Sequence, residues 1–197
     1  FKLLDSVNNL TSEILEEDFG GAHWCDIQVP GAWTRQISED KPHYTNIVMP
    51  WSGYEPPDVP DDNPTGIYQK VINISASSIS DMCILHIGSA ESIVLVFCNG
   101  VFIGLGKDSR LPSEFNLTPY LREGENVLTL VIPKWSDATW IEDQDHWFHG
   151  GLHRSLWIER KESLHISDVH LVCDFDPKYS RGSIEGKVLI SQPKQGL

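Results

Sequence analysis

Short apolar and β-branched runs, separated by clusters of glycine, proline, asparagine and aspartate, dominate this chain. In the clearest run, SIVLVFCNGVFIGLG at 92–106, two apolar segments flank Asn99-Gly100, a pair suited to the positive φ angles of a two-residue hairpin turn. The same pattern predicts strands at 67–74, 82–88, 126–132 and 155–160. This close spacing of strands favours an all-β sandwich over alternating β and α units.

Helical signals are few and short. The segment 12–19 predicts one or two helical turns. A second turn is predicted at 117–123, with Thr118 as N-cap and Pro119 at the first helical position. Neither segment changes the all-β interpretation.

The pattern changes near Glu162. Segments 164–176 and 182–192 predict two antiparallel strands of a new unit. Two strands are too few for an independent core. We therefore expect one domain at 1–162 and the truncated start of another at 163–197. The first residue is not Met and no signal pattern follows it, so we also expect a chain cut from a longer protein.

Composition excludes several classes of partner. The net charge of −13 would repel a phosphate backbone, so no nucleic acid is expected. No basic stripe suggests an anionic membrane surface, and no apolar run approaches the roughly 18–20 residues of a membrane span. Four scattered cysteines without a CxxC pair fit reduced thiols. The prediction is a cytoplasmic protein.

An acidic and aromatic cluster at 140–147 is the first candidate for chemistry. Glu142, Asp143 and Asp145 lie between Trp140 and Trp147. Aromatic faces stack on the C–H groups of sugars, and carboxylates accept hydrogen bonds from sugar hydroxyls. A solvated acidic loop with two anchoring tryptophans would explain the same residues, so both interpretations stay open.

These carboxylates do not suit a catalytic pair. A retaining glycosidase holds its acid and its nucleophile about 5–5.5 Å apart on opposite sides of the scissile bond. Neighbours on one short segment seldom reach such positions. The histidine spacing offers no zinc site, and no nucleophile elbow, P-loop or dinucleotide fingerprint is present.

Asn63 is the second candidate. It lies near the end of a stretch that has six prolines from Pro42 to Pro64 inclusive. Pro64 favours extended geometry at Asn63, whose amide can both donate to and accept from a sugar hydroxyl. An ordinary loop asparagine remains the alternative.

Three segments together resemble the amino-terminal sugar-binding region of glycoside hydrolase family 2, and most of all that of the large bacterial β-galactosidases. They are VPGAW…YTNIVMPW…PPDVPDDNPTGIY, CNGVFIGLGKDSRLPSEFNLTPYLREGENVLTLVI and WSDATWIEDQDHWFHGGLHRSLWI. The resemblance runs from about Val29 to about Phe175. It implies a jelly-roll, galactose-binding-like β-sandwich, then an immunoglobulin-like domain whose first strands are 163–197, then a barrel that this chain lacks.

The resemblance also implies roles for individual residues. Asn63 of NPTG and Asp145, the last residue of EDQD, would contact a galactosyl unit, and Asp145 would help to ligate sodium. Trp147 would help to shape the pocket. The family's catalytic glutamates belong to the barrel, so we expect no catalytic residue here and no activity from this chain alone. His146 stands where the best-known enzyme of this type has Met, which leaves substrate preference open.

The expected function is therefore that of the sugar-binding domain of a retaining β-galactosidase acting on terminal β-D-galactosides such as lactose. The expected partners are the substrate, the remaining domains of the same polypeptide and other copies in a homo-oligomer. The full-length enzyme would use sodium and magnesium, and neither is expected to bind tightly to this chain alone. Two alternatives stay open: a stand-alone carbohydrate-binding module, and the equivalent domain of a β-glucuronidase or β-mannosidase.

Overall fold

Fourteen strands, paired antiparallel, form the framework of the computed structural model, which describes residues 1–15, 24–46, 48–76, 81–142, 144–162 and 164–191. The strands are β1 (Lys2–Leu4), β2 (Gly31–Ala32), β3 (His43–Thr45), β4 (Thr65–Ile74), β5 (Met82–Ile87), β6 (Val94–Cys98), β7 (Val101–Gly106), β8 (Ser113–Asn116), β9 (Gly124–Pro133), β10 (His146–Phe148), β11 (Gly151–Leu152), β12 (Leu156–Lys161), β13 (Ile166–Asp176) and β14 (Arg181–Ile190). The α-helices are α1 (Ser12–Leu15) and α2 (Asp137–Ile141), and 3-10 turns occur at Val7–Asn9, Trp33–Arg35 and Thr118–Tyr120. In the described part of the chain, no helix is long and apolar enough to cross a bilayer.

Two sheets enclose the main core. The larger has strand order β1-β4-β9-β6-β7 and the smaller has β12-β5-β8. Alternate residues of β5 pack with alternate residues of β6 and β9 in one apolar cluster, as the two-residue side-chain period of strands requires. The members of that cluster from these strands are Cys83, Leu85, Ile87, Val94, Val96, Leu128, Leu130 and Ile132. The all-β sandwich expected from the sequence is confirmed.

The outer face of the larger sheet is also covered. Ile67, Phe97 and Val131 point away from the main core and form a second cluster with Leu4. Residues of the Val7–Leu15 stretch pack against them. This explains why residues 127–133 of β9 are apolar apart from Thr129: this part of the strand is buried on both faces.

The hairpin predicted at 92–106 is present as β6 and β7. Asn99 has φ 51° and Gly100 has φ 76°, the left-handed pair that a two-residue turn of type I′ requires. The Asn99 amide also bonds the backbone of Val127 and Tyr120, so the turn is tied to the neighbouring strand and loop.

A helical turn is present in both predicted segments, and only the N-cap of the second needs correction. Leu117, not Thr118, is the N-cap of the turn Thr118–Tyr120, and the Thr118 hydroxyl instead accepts a hydrogen bond from the Cys83 backbone N–H at 2.9 Å. Only Ser12–Leu15 of the segment 12–19 is shown as helix, and residues 16–19 lie outside the described ranges.

The strands β13 and β14 form a separate hairpin in which every residue is exposed. One face alternates Val169, Leu171, Cys173 and Phe175, so it is apolar throughout. Both predicted strands of the second unit are therefore present. The domain boundary at 162/163 and the immunoglobulin-like identity of this unit stay predictions.

Candidate functional site

A two-stranded ribbon, β3 paired with β10, brings Tyr44, Asp145 and Trp147 together; we call these three residues the ribbon surface. Tyr44 lies directly opposite Trp147, with ring centroids 5.3 Å apart and planes tilted by 44°. The Tyr44 hydroxyl donates a hydrogen bond to Oδ1 of Asp145 at 2.5 Å. Tyr44 is 51% exposed and Trp147 is 55% exposed, so two aromatic faces and a carboxylate meet at the surface, as a sugar site requires.

Sequence reasoning missed Tyr44. It lies 101 residues from Asp145, and nothing in local spacing links the two. The available signal was its place in the segment HYTN, inside the first block of the family resemblance. The hydrogen bond to Asp145 raises the pKa of Tyr44, so the phenol stays protonated and donates.

Asn63 is held in the protein rather than presented freely. Its side chain is 4% exposed, and its amide pairs with the backbone of Trp135. Nδ2 donates to the Trp135 carbonyl at 2.8 Å, and Oδ1 accepts from the Trp135 N–H at 2.8 Å. An amide has two N–H groups and two acceptor lone pairs, so one of each remains. The sugar contact predicted for Asn63 stays a prediction, alongside this structural role.

Trp135 connects Asn63 to the ribbon. Its backbone holds the Asn63 amide, while its ring makes edge contacts with His43 of β3 at 5.4 Å and Phe148 of β10 at 5.5 Å. Trp51, from the proline-rich stretch, packs on the same ring at 4.9 Å. The residues predicted from the NPTG and EDQD motifs therefore belong to one packed assembly.

The first residue of EDQD is structural. Glu142 follows α2, whose N-terminus has a capping box between Ser136 and Thr139. Both carboxylate oxygens of Glu142 accept from the Ser109 N–H, at 3.1 and 3.2 Å, and one also accepts from the Ser109 hydroxyl. Glu142 thus ties the loop after β7 to the ribbon. Asp143, the second carboxylate of the motif, lies outside the described residues.

A buried carboxylate supports the segment after β10. Glu91 is 3% exposed, and its Oε2 accepts from the His149 N–H at 3.3 Å. The same oxygen lies 2.8 Å from Nε2 of His153, at ion-pair distance but without hydrogen-bond alignment. Its backbone forms an isolated bridge with Gly151. Burial lowers the pKa of His149, partly offset by the charge of Glu91.

A buried ion pair anchors the chain that leads into β3. The Lys134 ammonium lies 2.8 Å from both oxygens of Asp40 and 2.7 Å from the Lys41 carbonyl. The Trp33 indole donates to Asp40 at 2.7 Å. Burial lowers the pKa of Lys134, and the bond to Asp40 counters this. Tyr44 is thus presented from a strand whose approach is fixed.

The described residues do not make a complete cation site. No group of three or more His, Cys, Asp or Glu within the described ranges could hold a metal ion. One oxygen of Asp145 is engaged by Tyr44, which leaves a single carboxylate oxygen for a cation. The sodium or magnesium implied by the resemblance would need most of its oxygen ligands from elsewhere.

Comparison with known proteins gives one family match and many relatives. The family model described as glycosyl hydrolases family 2, sugar binding domain, matches residues 1–161. A β-galactosidase of Vibrio cholerae is 36% identical over 192 residues, which are 98% of this chain and 19% of that protein. A β-galactosidase of Halalkalibacterium halodurans is 35% identical over 182 residues, 90% of this chain and 18% of that protein. The chain spans about a fifth of the length of these curated relatives.

Solved structures share the fold at low sequence identity. A β-glycosidase from Bacteroides vulgatus matches with a TM-score of 0.69 and 17% identity, over 98% of this chain and 24% of that one. A β-glucuronidase of Bacteroides uniformis matches with a TM-score of 0.65 and 19% identity, over 87% of this chain and 19% of that one. These similarities concern the fold alone.

Proposed function

Because the chain belongs to the sugar-binding domain family of glycosyl hydrolases family 2, we propose that it is the galactoside-recognition domain of a retaining β-galactosidase. The main support is the ribbon surface, where Tyr44, Asp145 and Trp147 combine aromatic faces with a carboxylate. The galactoside preference is inferred from curated relatives described as β-galactosidases.

In this proposal Asp145 and Asn63 have different tasks. Asp145 is exposed, and its free oxygen accepts a hydrogen bond from a galactosyl hydroxyl or contributes one ligand to sodium. Asn63 is buried, and it contributes through the one N–H and one lone pair left by Trp135. Trp147 supplies an apolar face beside Asp145. Any sodium bound there would neutralise local negative charge when present.

The bond-breaking carboxylates are proposed to come from outside this chain. A retaining mechanism needs two carboxyl groups about 5–5.5 Å apart, one acid/base and one nucleophile. The carboxylates described near the ribbon are engaged: Asp145 with Tyr44, Glu142 with Ser109, and buried Glu91 beside His153. This chain alone is therefore expected to be inactive.

The hairpin β13–β14 supports the same view of a larger protein. Its exposed apolar face, with Leu171 and Phe175, needs further strands to cover it. We propose that it begins an immunoglobulin-like domain completed by later sequence, since the relatives are about five times as long as this chain.

The proposed function is tested in the full-length gene product by Asp145→Ala. The catalytic efficiency kcat/KM for a chromogenic β-galactoside should fall by more than about tenfold, because a substrate or cation ligand is lost. Asp168→Ala, at an exposed aspartate of β13, is the matched control and should leave the rate unchanged. Unimpaired hydrolysis by the Asp145 variant would remove the proposed role.

Two competing functions have distinct outcomes. A β-glucuronidase is suggested by the Bacteroides uniformis β-glucuronidase that shares the fold, but its substrate carboxylate would face Asp145 in a protein of net charge −13. Faster hydrolysis of a β-glucuronide than of a β-galactoside by the full-length protein would favour it. For a stand-alone module, calorimetry of this chain with lactose should show submillimolar binding, whereas our proposal expects none.

A further inference from the structure

We propose that Tyr44 is a positioning and stacking residue of the galactoside site: its hydroxyl fixes the Asp145 carboxylate, and its ring forms a two-sided platform with Trp147. This inference rests on the proposed function, because it assigns Tyr44 a role at the same site. The evidence is the hydrogen bond of 2.5 Å, the ring contact at 5.3 Å and the exposure of all three side chains.

The hydroxyl is presented from a fixed backbone. Tyr44 lies between His43, whose ring packs edge-on to Trp135, and Thr45, which is buried and donates its hydroxyl to the Val48 carbonyl. The ladder with β10 then sets Tyr44 opposite Trp147. A donor held in this way restricts a carboxylate that would otherwise sample several rotamers in solvent, so less order is lost when a sugar binds.

The hydrogen bond from Tyr44 also makes the two oxygens of the Asp145 carboxylate inequivalent. Oδ1 of Asp145 accepts from Tyr44, which leaves Oδ2 as the oxygen without a donor among the described residues. A sugar hydroxyl would meet one oriented acceptor rather than two equivalent ones. This orientation converts a surface charge into a directional contact.

The two rings suit the shape of a galactopyranoside. Both are about half exposed, and their 44° tilt makes an open angle rather than a flat surface. The axial O4 of galactose leaves C–H groups at C3, C4 and C5 on one face of the sugar, and this apolar face can stack on an aromatic ring. Tyr44 and Trp147 together therefore favour a pyranose whose stacked face adjoins a hydroxyl within reach of Asp145.

Four variants of the full-length enzyme test the inference. Tyr44→Phe removes the hydroxyl, Tyr44→Leu removes the ring as well, Asp145→Asn removes the charge, and Tyr179→Phe removes another exposed phenol hydroxyl on the β13–β14 hairpin. For a β-galactoside, Tyr44→Phe should raise KM by roughly five- to tenfold with kcat within about twofold, because ground-state and transition-state binding are lost together. Tyr44→Leu should raise KM by about a further threefold. Tyr179→Phe should change neither constant.

A double-mutant cycle shows whether Tyr44 acts through Asp145. In an Asp145→Ala background, which leaves the Tyr44 hydroxyl no side-chain acceptor at position 145, Tyr44→Phe should change KM by less than about twofold. An undiminished effect there would overturn the positioning role. An unchanged KM in Tyr44→Phe, combined with a raised KM in Asp145→Asn, would remove Tyr44 from the site and leave the proposed function standing. Unchanged constants in both would remove the proposed function itself.

Thermal unfolding separates this role from a folding role. Since Tyr44 is half exposed, the midpoint Tm of Tyr44→Phe should lie within about 2 °C of the parent. A Tm lowered by more than about 5 °C would assign the hydroxyl to folding and overturn the inference.

Discussion

The amide of Asn63 is expected to hold the site together by bonding both backbone groups of Trp135. Asn63→Ala would remove both bonds at a position where Asn63 is 4% exposed and Trp135 is 5% exposed. Each bond contributes about 1 kcal/mol net, and a buried partner left unpaired costs about 1–3 kcal/mol. We expect the free energy of unfolding to fall by about 2–4 kcal/mol.

Urea denaturation of this chain, followed by tryptophan fluorescence, measures that loss. For a protein of this size the same loss lowers Tm by about 4–16 °C. Asn73→Ala is the matched control, because Asn73 is an exposed asparagine on β4, the strand that follows Asn63, and should change stability by less than about 0.5 kcal/mol. Equal unfolding free energies for the Asn63 and Asn73 variants would refute the structural role.

The variant Asn63→Asp tests the direction of the two hydrogen bonds between Asn63 and Trp135. One oxygen still accepts from the Trp135 N–H, but the other faces the Trp135 carbonyl, so repulsion and burial raise the pKa of the new carboxyl in the folded state. Its unfolded value is about 3.9. The loss relative to the parent should be largest near pH 7 and shrink as pH falls and the protonated acid donates to the carbonyl. A loss independent of pH would contradict the assigned geometry.

Three further predictions concern the framework of the site. Asp40→Ala should lower the unfolding free energy, measured by urea denaturation, by about 3–5 kcal/mol, because Lys134 loses its counter-charge. Adding Lys134→Met should restore much of the lost stability. No restoration would contradict the assigned ion pair. Burial lowers the pKa of His149 in the folded state, so its contribution to stability is complete above about pH 6.5 and is lost as pH falls below that value. His149→Gln should therefore weaken the dependence of the unfolding free energy on pH between about pH 5 and 7. An unchanged pH dependence would contradict this role of His149. Glu142→Ala should speed hydrogen exchange at the Ser109 amide by at least about tenfold, and unchanged exchange would show that the contact is not protective.

Much of the strand layout follows from local patterns. The predicted strand 82–88 is observed as Met82–Ile87, and 126–132 as Gly124–Pro133. These strands alternate or lie buried on both faces, and the turn at Asn99-Gly100 requires φ angles that this pair readily adopts. Strands with a clear alternation of side chains, bounded by turn-forming residues, can therefore be predicted from the sequence.

The elements that form the candidate site cannot be predicted in this way. Strands β3 and β10 have three residues each, too few to show a period, and their pairing joins segments about a hundred residues apart. The helix α2 has five residues, and its signal was the cap at Ser136 followed by Asp137.

The candidate residues were found by motif, but their surroundings were not. Asn63 and Asp145 came from NPTG and EDQD. Hydrogen bonds join Asn63 to the Trp135 backbone, and the Trp135 ring packs on Phe148 of β10, the strand that follows Asp145; no local rule predicts these contacts. Tyr44 and Glu91 were missed because their partners lie far along the chain. Contacts across such sequence distances depend on the tertiary fold rather than on propensity.

The ribbon has a consequence for synthesis on the ribosome. Tyr44 emerges early but cannot meet Asp145 or Trp147 until β10, which ends at Phe148, has been translated and has left the exit tunnel. At about 5–20 residues per second, the tyrosine waits several seconds with its aromatic ring exposed on an incomplete chain. The contacts of Tyr44 with Asp145 and Trp147 should therefore form in one late step, when the second strand arrives, rather than gradually.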